Sequence, residues 1–375
     1  MVGAGQLARM THQAAIPLGQ SLRLLADSVD DGAAQVAADV VVGDYRDLDD
    51  LRAFARGCDV VTFDHEHVPN EHIRALEADG VAVHPTAAAL HFAQDKQAMR
   101  ERLTALGIPC PRWAPVADVA DVEAFGQEVG WPLVLKSTRG GYDGKGVWVV
   151  TDVEAAAEVL ALGATFIAEQ KVAIVRELAA DVARSPYGQG AIWPVVETVQ
   201  ENGICVEVLA PAPGLAEDVA HEAQSLALRI ADELKVTGVL AVELFETADG
   251  LLVNELAMRP HNSAHWTIEG SRTSQFEQHL RAVLDYPLGT TTPTAQVVVM
   301  ANLLGGPEDV EPKAIDERVH HCLARWPDVK IHLYGKQFRP GRKVGHVTAL
   351  GDDLDSVRRR AHDAAAYLMN GDRGA

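Results

Sequence analysis

The sequence predicts a mixed fold, α/β in its first part and α+β after it: an N-terminal doubly wound (Rossmann-like) parallel sheet, antiparallel hairpins with helices, and a small β-rich unit at the end. Three observations predict it. Over residues 1–85 short apolar runs alternate with amphipathic helical stretches, as crossover-connected parallel strands do. In the middle of the chain strand-like runs come in pairs joined by glycine turns, the signature of antiparallel hairpins. From about Ala295 the texture changes again. A length of 375 residues suits two or three domains. Boundaries are expected at 1–94, 95–292 and 293–375.

The elements follow in order. "MVGAGQLARMTHQAAIPLG" reads as a strand end, a glycine turn and a helix, and "SLRLLADS" as a strand ending at Asp27. "VVVGDY", "DVVTFDHEHVP" and "GVAVHP" are further strands, with helices at Leu48–Arg56 and Glu71–Asp79 between them. Asp95 caps a helix that carries Ala98, Met99, Leu103 and Leu106 on one face and stops at Gly107 and Pro109. "WPLVLKS" and "GVWVV" form the arms of a hairpin around a glycine-rich loop. "ATFIAEQKV" and "AIVRELAADVARS" are strands. Glu217–Lys235 is a helix with Val219, Ala223, Leu226, Ile230 and Leu234 in one stripe. "GVLAVELFETADGLLVNELAMRP" is a strand, turn and strand, and Phe276–Leu284 a short helix. "QVVVMANLLG", "VKIHLYGKQFRPGRKVGHVTAL" and a helix near Leu354–Leu368 make the last unit.

Charge narrows the partners. With 33 Lys+Arg against 53 Asp+Glu the chain carries −20, which repels nucleic acid and anionic membrane. Cys58, Cys110, Cys205 and Cys322 are scattered, without a CxxC pair, so neither a disulfide framework nor a zinc site is expected, and a cytoplasmic location is. No apolar run approaches the roughly 18 residues of a membrane span.

Several clusters carry chemistry. "GAGQLA" (Gly3, Gly5, Ala8) fits a dinucleotide turn, with Asp27 about 20 residues on for a ribose, which would make the chain an NAD-dependent oxidoreductase. The same glycines also serve any tight strand-to-helix turn, or a different phosphate at the helix N-terminus. In "KSTRGGYDGKGVWVV" the glycines lead into a strand, unlike a P-loop or a dinucleotide fingerprint, and Lys136 stands at a strand end. Glu243 and Glu255 are the strongest constellation. A loop of Ala248, Asp249 and Gly250 would pair Thr247 with Leu251 and set Glu243 opposite Glu255, on one face. Facing Cβ atoms lie roughly 4.5–5.5 Å apart, so two carboxylates there share a proton or a cation. Beside phosphate that cation would be Mg²⁺. Asn254 adds an oxygen, and "RPHNSAHW" adds Arg259, His261, Asn262 and His265. Lys336, Arg339, Arg342 and Lys343 concentrate positive charge in an acidic protein and could hold a ribose phosphate.

"GGYDGKG", "NELAMRPHNSAHWT", "SQFEQHLRAV" and "RPGRKVGH", in that order, resemble the ATP-grasp superfamily and, within it, the N5-carboxyaminoimidazole ribonucleotide synthetase family, over essentially the whole chain. The resemblance implies a pre-ATP-grasp domain at 1–94, an ATP-grasp domain at 95–292 with a lid near 110–170, and a barrel-sandwich-like domain at 293–375. It implies ATP-dependent carboxylation of 5-aminoimidazole ribonucleotide by bicarbonate, via carboxyphosphate, in purine biosynthesis. ATP, Mg²⁺ (or Mn²⁺) and a homodimer come with it. Lys96 and Lys136 would meet the ATP phosphates under a lid carrying Gly141, Gly144 and Gly146. That loop is expected to order only when both substrates are bound. Glu169, Gln170, Lys171 and Val172 would line the adenine pocket, Glu177 would take the ribose, and Glu243 and Glu255 the metal, with Asn254 alongside. Tyr142, Asp143, Lys145, Arg259, His261 and Asn262 would surround the reacting groups. Gln6, Leu7, Glu66, Lys336, Arg342 and Lys343 would hold the ribonucleotide. The chain departs from the family's pattern at Asp64 (usually Glu) and Ala264 (usually Gly), and only Met1 and Val2 precede Gly3. The alternatives are another ATP-grasp ligase, such as a formate-dependent glycinamide ribonucleotide transformylase, a non-catalytic nucleotide-binding relative, or the NAD enzyme above. The Asn262–Trp266 continuation argues against the transformylase.

Overall fold

The computed structural model describes residues 1–141, 144–306 and 312–371. The first unit comprises α1 (Gln6–Ala15), β1 (Arg23–Ala26), β2 (Asp39–Val42), α2 (Leu48–Ala55), α3 (Asn70–Ala78) and α4 (Ala87–Gln94). β1 and β2 pair in parallel. Single parallel bridges extend the sheet from there: Val2 to Leu25 and to Phe63, and Val61 to Val83. The order β2, β1, residue 2, residues 61–63, residue 83 is that of a doubly wound sheet. The runs around Val61 and Val83 thus occupy strand positions but are reduced to bridges.

The middle unit begins with α5 (Lys96–Ala105), β3 (Trp113–Val116), α6 (Val119–Val129), β4 (Leu133–Ser137), β5 (Val147–Val150), α7 (Val153–Leu160) and β6 (Phe166–Gln170). Asp95 accepts from the Ala98 amide, the N-cap the sequence promises for α5. The four strands form an antiparallel sheet ordered β3-β6-β4-β5. Val122, Phe125, Ala156 and Val159 cover one face by packing on Leu133, Leu135, Val150, Phe166 and Ala168. In register across the opposite face stand Lys136 beside Val147 and Val134 beside Val149.

The chain continues through β7 (Arg176–Arg184), β8 (Gly190–Ile192), β9 (Val196–Glu201), β10 (Ile204–Ala210), α8 (Glu217–Glu233), β11 (Gly238–Thr247), β12 (Gly250–Ala257), α9 (Thr267–Gly270) and α10 (Gln275–Val283). β13 (Val297–Leu304), α11 (Pro312–Arg325), β14 (Lys330–Leu333), β15 (Lys343–Gly351) and α12 (Leu354–Asn370) complete it. One large sheet runs β12-β11-β7-β9-β10-β13-β15-β14, with β8 on β7. The late strands therefore extend the central sheet, because β13 pairs with β10, and what changes near residue 293 is the helical cover. There Val357, Ala361, Ala364 and Leu368 of α12 pack on Val299, Ala301, Val347 and Ala349. Among the described residues no helix is long and apolar enough to cross a membrane.

One strut ties α12 to the sheet. Glu207, 1% exposed, accepts from Arg358 at 2.9 and 2.7 Å and faces His362 Nε2 at 2.7 Å. Burial raises the Glu207 carboxyl, but His362 and then Arg358 outweigh it and hold it below its ordinary range. The Glu207 hydrogen bond holds the His362 imidazole above its ordinary pKa. A raised histidine stabilises the fold below its unfolded pKa, and that contribution is lost as pH rises through the folded value; the depressed carboxylate acts in the opposite sense at acid pH. His362→Gln should lower the melting temperature by about 1–2 °C at pH 6 and by less at pH 9, the half-exposed His362 being screened by solvent. Thermal melts at the two pH values check this.

Candidate active site

The β11–β12 hairpin builds the centre of the site. Thr247 pairs with Gly250, so the turn has two residues, Ala248 and Asp249, and not three. Glu243 nevertheless faces Glu255, because the register shifts by one residue between Glu243 and Leu244 and leaves Asn254 as a bulge. Burial shows the shift in parity: Leu251 and Val253 are buried, then Leu256. Asn254 and Glu255, consecutive in sequence, thereby both meet groups of the cleft.

Two lysines from other elements meet this pair. Lys96, first residue of α5, donates from Nζ to Glu255 Oε1 at 2.9 Å. Lys136, on β4, donates from Nζ to Asn254 Oδ1 at 2.9 Å and lies 2.7 Å from Glu169 Oε2. An ammonium has three donors, so a third remains for a ligand oxygen. Glu169, assigned by resemblance to the adenine pocket, is 2% exposed, and its carboxylate is held between Lys136 and Arg100. Burial pushes its carboxyl up, but Lys136 and then Arg100 prevail and keep it below the usual range. Arg100, fully buried, donates from Nε to Glu169 Oε1 at 2.7 Å and from Nη2 to the Asn254 carbonyl at 2.7 Å. Sequence reading missed it; its position one turn after Lys96 on the buried face of α5 was the available signal.

Glu243 is the most perturbed carboxyl here. Burial, then the charges of Glu255 and Glu177, push it up to about 7. Asn254 Nδ2 donates to its Oε2 at 3.2 Å, and His261 Nε2 lies 3.5 Å from its Oε1. A partly buried carboxylate faced by a second suits a cation by its chemistry. Among the described residues no cluster of three or more His, Cys, Asp or Glu converges as a protein-only metal cage would need. Mg²⁺ fits the pair, since it takes one or two carboxylates and completes its octahedron with phosphate oxygens and water.

Past β12 the chain turns across the first unit. Glu66 accepts from the Met258 amide at 2.9 Å and lies 3.2 Å from Arg259 Nε, which ties the two units together at the cleft. Asn262, expected beside the reacting groups, lies in the turn that follows β12. Its side-chain amide forms a reciprocal pair with Asn302, at 3.0 and 2.8 Å, so it joins the turn to β13. Glu177, partly buried, has its carboxyl raised by burial. Gln170, Lys171 and Val172 lie where β6 leaves the smaller sheet. Gly144 comes against Gly203, in the Asn202–Gly203 turn between β9 and β10. Gly141, Gly146 and the exposed Lys145 belong to the same loop, and Tyr142 and Asp143 lie outside the described residues.

A cavity of about 750 Å³ opens where the first unit meets the β14–β15 connection. Lys336, Arg339 and Arg342 line it on one side, Gly3–Gly5 and Asp27 on the other. Lys336 Nζ donates to Gln6 Oε1. Leu7 does not turn into it. Its side chain packs with Met10, Phe276 and Tyr334, because the helical spacing of Leu7 and Met10 faces both to α10. Lys343 also parts from Lys336 and Arg342. Successive residues of an extended chain point to opposite sides, and the charge of Lys343 acts on Glu243, His261 and His265 instead.

The glycine turn at α1 answers the dinucleotide reading. Asp64 occupies the helix N-terminus, accepting from Gly5 N and, at 3.0 Å, from Ala8 N. A Cβ on Gly5 would stand 2.6 Å from Asp64 Oδ2, and one on Gly3 2.8 Å from Asp64 Cβ. The glycines make room for the chain's own carboxylate, where a pyrophosphate would sit in an NAD enzyme.

Comparison with known proteins agrees with this geometry. Residues 1–94 match the ribonucleotide synthetase preATP-grasp domain, 101–276 the ATP-grasp domain, and 298–360 the phosphoribosylaminoimidazole carboxylase C-terminal domain. The N5-carboxyaminoimidazole ribonucleotide synthase of Mycobacterium tuberculosis is 59% identical over 378 residues, covering 99% of this chain and 87% of its own. That of Corynebacterium ammoniagenes is 52% identical over 379 residues, covering 99% and 91%. The crystal structure of the Thermus thermophilus synthetase superposes with a TM-score of 0.88 at 39% identity over 99% of both chains. The Aspergillus clavatus synthase, in complex with ADP and 5-aminoimidazole ribonucleotide, gives 0.88 at 31% identity over 98% of both. With the carboxylate pair, its two lysines and the cationic cavity in place on this three-unit frame, the chain belongs to the N5-carboxyaminoimidazole ribonucleotide synthase family of ATP-grasp enzymes.

Proposed function

We propose that the chain uses ATP to carboxylate 5-aminoimidazole ribonucleotide with bicarbonate, through carboxyphosphate, giving N5-carboxyaminoimidazole ribonucleotide, ADP and phosphate. The observation that carries it is the junction at Arg259. On one side lie the carboxylate pair and two lysines, suited to a nucleotide triphosphate; on the other, the first unit brings in Glu66 and the cavity with Lys336 and Arg342. ATP fits the first site. Val147 and Val149 are 38% and 56% exposed on the face of the smaller sheet that bears Lys136, an apolar platform for a flat base beside a cation for its phosphates.

Bicarbonate carbon is a poor electrophile, and conversion to a mixed anhydride supplies a leaving group. A bicarbonate oxygen bonds to the γ-phosphorus as the bond to ADP breaks. Lys96 and Lys136 offset the charge that spreads over the transferred group, and their salt-bridged carboxylates keep them from moving as it does. Glu243 and Glu255 would hold Mg²⁺, which supplies charge neutralisation at the phosphates when bound. The glycine loop excludes water from a short-lived anhydride. The exocyclic amine then bonds to the carbonyl carbon, phosphate leaves, and the amine proton passes to a base at the Tyr142–Asp143 loop. Arg259, held by Glu66, stands ready for the leaving phosphate. A homodimer belongs to the same reading, and sedimentation checks it.

ADP release should require aminoimidazole ribonucleotide and bicarbonate together. A coupled ADP assay in bicarbonate-depleted buffer, with and without each, measures this. Stimulation by glycinamide ribonucleotide plus formate, and none by aminoimidazole ribonucleotide, would overturn the reading.

A further inference from the structure

Asp181, on β7, is a carboxylic acid in the interior that the mechanism above does not use. It is 1% exposed, and its only side-chain hydrogen-bond partner among the described residues is the Ser263 hydroxyl, 3.0 Å from Oδ1 and 3.2 Å from Oδ2. Ser263 Oγ in turn lies 2.9 Å from His261 Nδ1. The other nitrogen of that ring faces Glu243 Oε1 at 3.5 Å. Four side chains from β7, the 261–264 turn and β11 thus form one line from the interior to the carboxylate pair.

We propose that Asp181 and Ser263 are positioning residues for His261, a hydrogen-bonded relay that locks the imidazole ring and directs its Nε2–H at Glu243. The direction follows from donor counting. The Ser263 backbone N–H, which can only donate, lies 3.4 Å from His261 Nδ1. Nδ1 is therefore an acceptor, and in the neutral ring the proton is on Nε2. With Asp181 ionised the Ser263 hydroxyl would donate to it; in the proposed relay the hydroxyl proton goes instead to Nδ1, and the oxygen accepts from Asp181 in the acid form. Burial is consistent with that form, since it pushes the Asp181 carboxyl up to about 7. The hydrogen bonds then point the same way from Asp181 to Ser263 to His261, whose Nε2 lies 3.5 Å from Glu243 Oε1. At Glu243 the relay meets Asn254 Nδ2–H on the other carboxylate oxygen. The two donors together fix the rotation of the carboxylate that faces Glu255. A buried carboxyl without a cation is costly to keep merely to shape a turn, and an amide could serve that purpose.

The test has a spectroscopic arm, which needs no turnover, and a kinetic arm, which rests on the carboxylase reading. Long-range proton–nitrogen correlation on ¹⁵N-histidine-labelled full-length protein should show His261 with Nε2 protonated and Nδ1 bare. Ser263→Ala should convert it to a mixture of tautomers. Ser263→Ala and Asp181→Leu should lower kcat about 10–100-fold, as loss of partners behind a ligand does, with KM for ATP within about twofold. Asp181→Asn, whose amide still donates to Ser263, should lose at least about fivefold less than Asp181→Leu. In a His261→Ala background, Ser263→Ala should cost less than about twofold more, since residues acting through a missing ring have nothing left to position. An unchanged tautomer in Ser263→Ala, or losses that multiply with His261→Ala, would overturn the proposal.

Discussion

Glu255→Gln should lower turnover about 10³-fold at saturating magnesium and leave the melting temperature unchanged or raised. The loss follows from the oxygen's place. Glu255 faces Glu243 across the hairpin and receives Lys96 at 2.9 Å, so in the proposed function it would hold one lysine of the ATP site and supply half of the cation site. Removing one preorganised electrostatic group from a phosphoryl-transfer centre costs about 3–4 kcal/mol of transition-state stabilisation. Stability moves the other way. Glu243, pushed up to about 7 by burial and then by Glu255, is relieved when its neighbour loses charge. Sites that bind charged transition states carry such strain in the free protein. ADP release across a magnesium titration, with a melt of the same sample, checks both. Retained activity at saturating magnesium would contradict the metal assignment.

Arg100→Met should be the most destabilising single change near the site, and should raise KM for ATP as well. Arg100 is fully buried and joins α5, β6 and β12 through Glu169 and the Asn254 carbonyl. Removing one partner of a buried ion pair leaves the other uncompensated, at about 3–5 kcal/mol. Glu169 would then depend on Lys136 alone, drawing that lysine toward itself and away from phosphate. Adding Glu169→Gln removes the orphaned charge. The double variant should regain most of the lost stability, yet not the KM, because Lys136 has lost its anchor. Chemical denaturation and ATP saturation curves of the single and double variants separate the two effects. Equal recovery of both would mean that Arg100 serves stability alone.

Much of the frame was legible because it rests on periodicity. The Asp95 cap, the hairpin around the glycine loop and the long helix α8 follow from local pattern, and each is present. The pairing of Glu243 with Glu255 was legible too, although through the wrong turn; a bulge compensated a two-residue loop. The buried parity Leu251, Val253, Leu256 encodes that bulge, and counting from the turn alone cannot see it. β9 and β10 were passed over despite "QENGIC", where Asn202 and Gly203 adopt φ of 51° and 77°, as a two-residue hairpin turn requires.

The rest was illegible because it depends on contacts between distant segments. Arg100 looks like any helical arginine until β6 brings Glu169 beneath it. Asn262 shows no structural partner until β13 brings Asn302. The Gly3–Gly5 turn fits a dinucleotide until Asp64, some sixty residues on, fills its helix terminus. In each case a group distant in sequence supplies the partner that local pattern cannot show.

The most direct measurement of the proposed chemistry follows the carbon. With ATP, Mg²⁺, 5-aminoimidazole ribonucleotide and ¹³C-bicarbonate, the protein should yield a carbamate resonance on the ribonucleotide, one per ADP formed, in a sample quenched in base. ADP formed without labelled carbamate, or labelled carbamate formed without ATP, would contradict it.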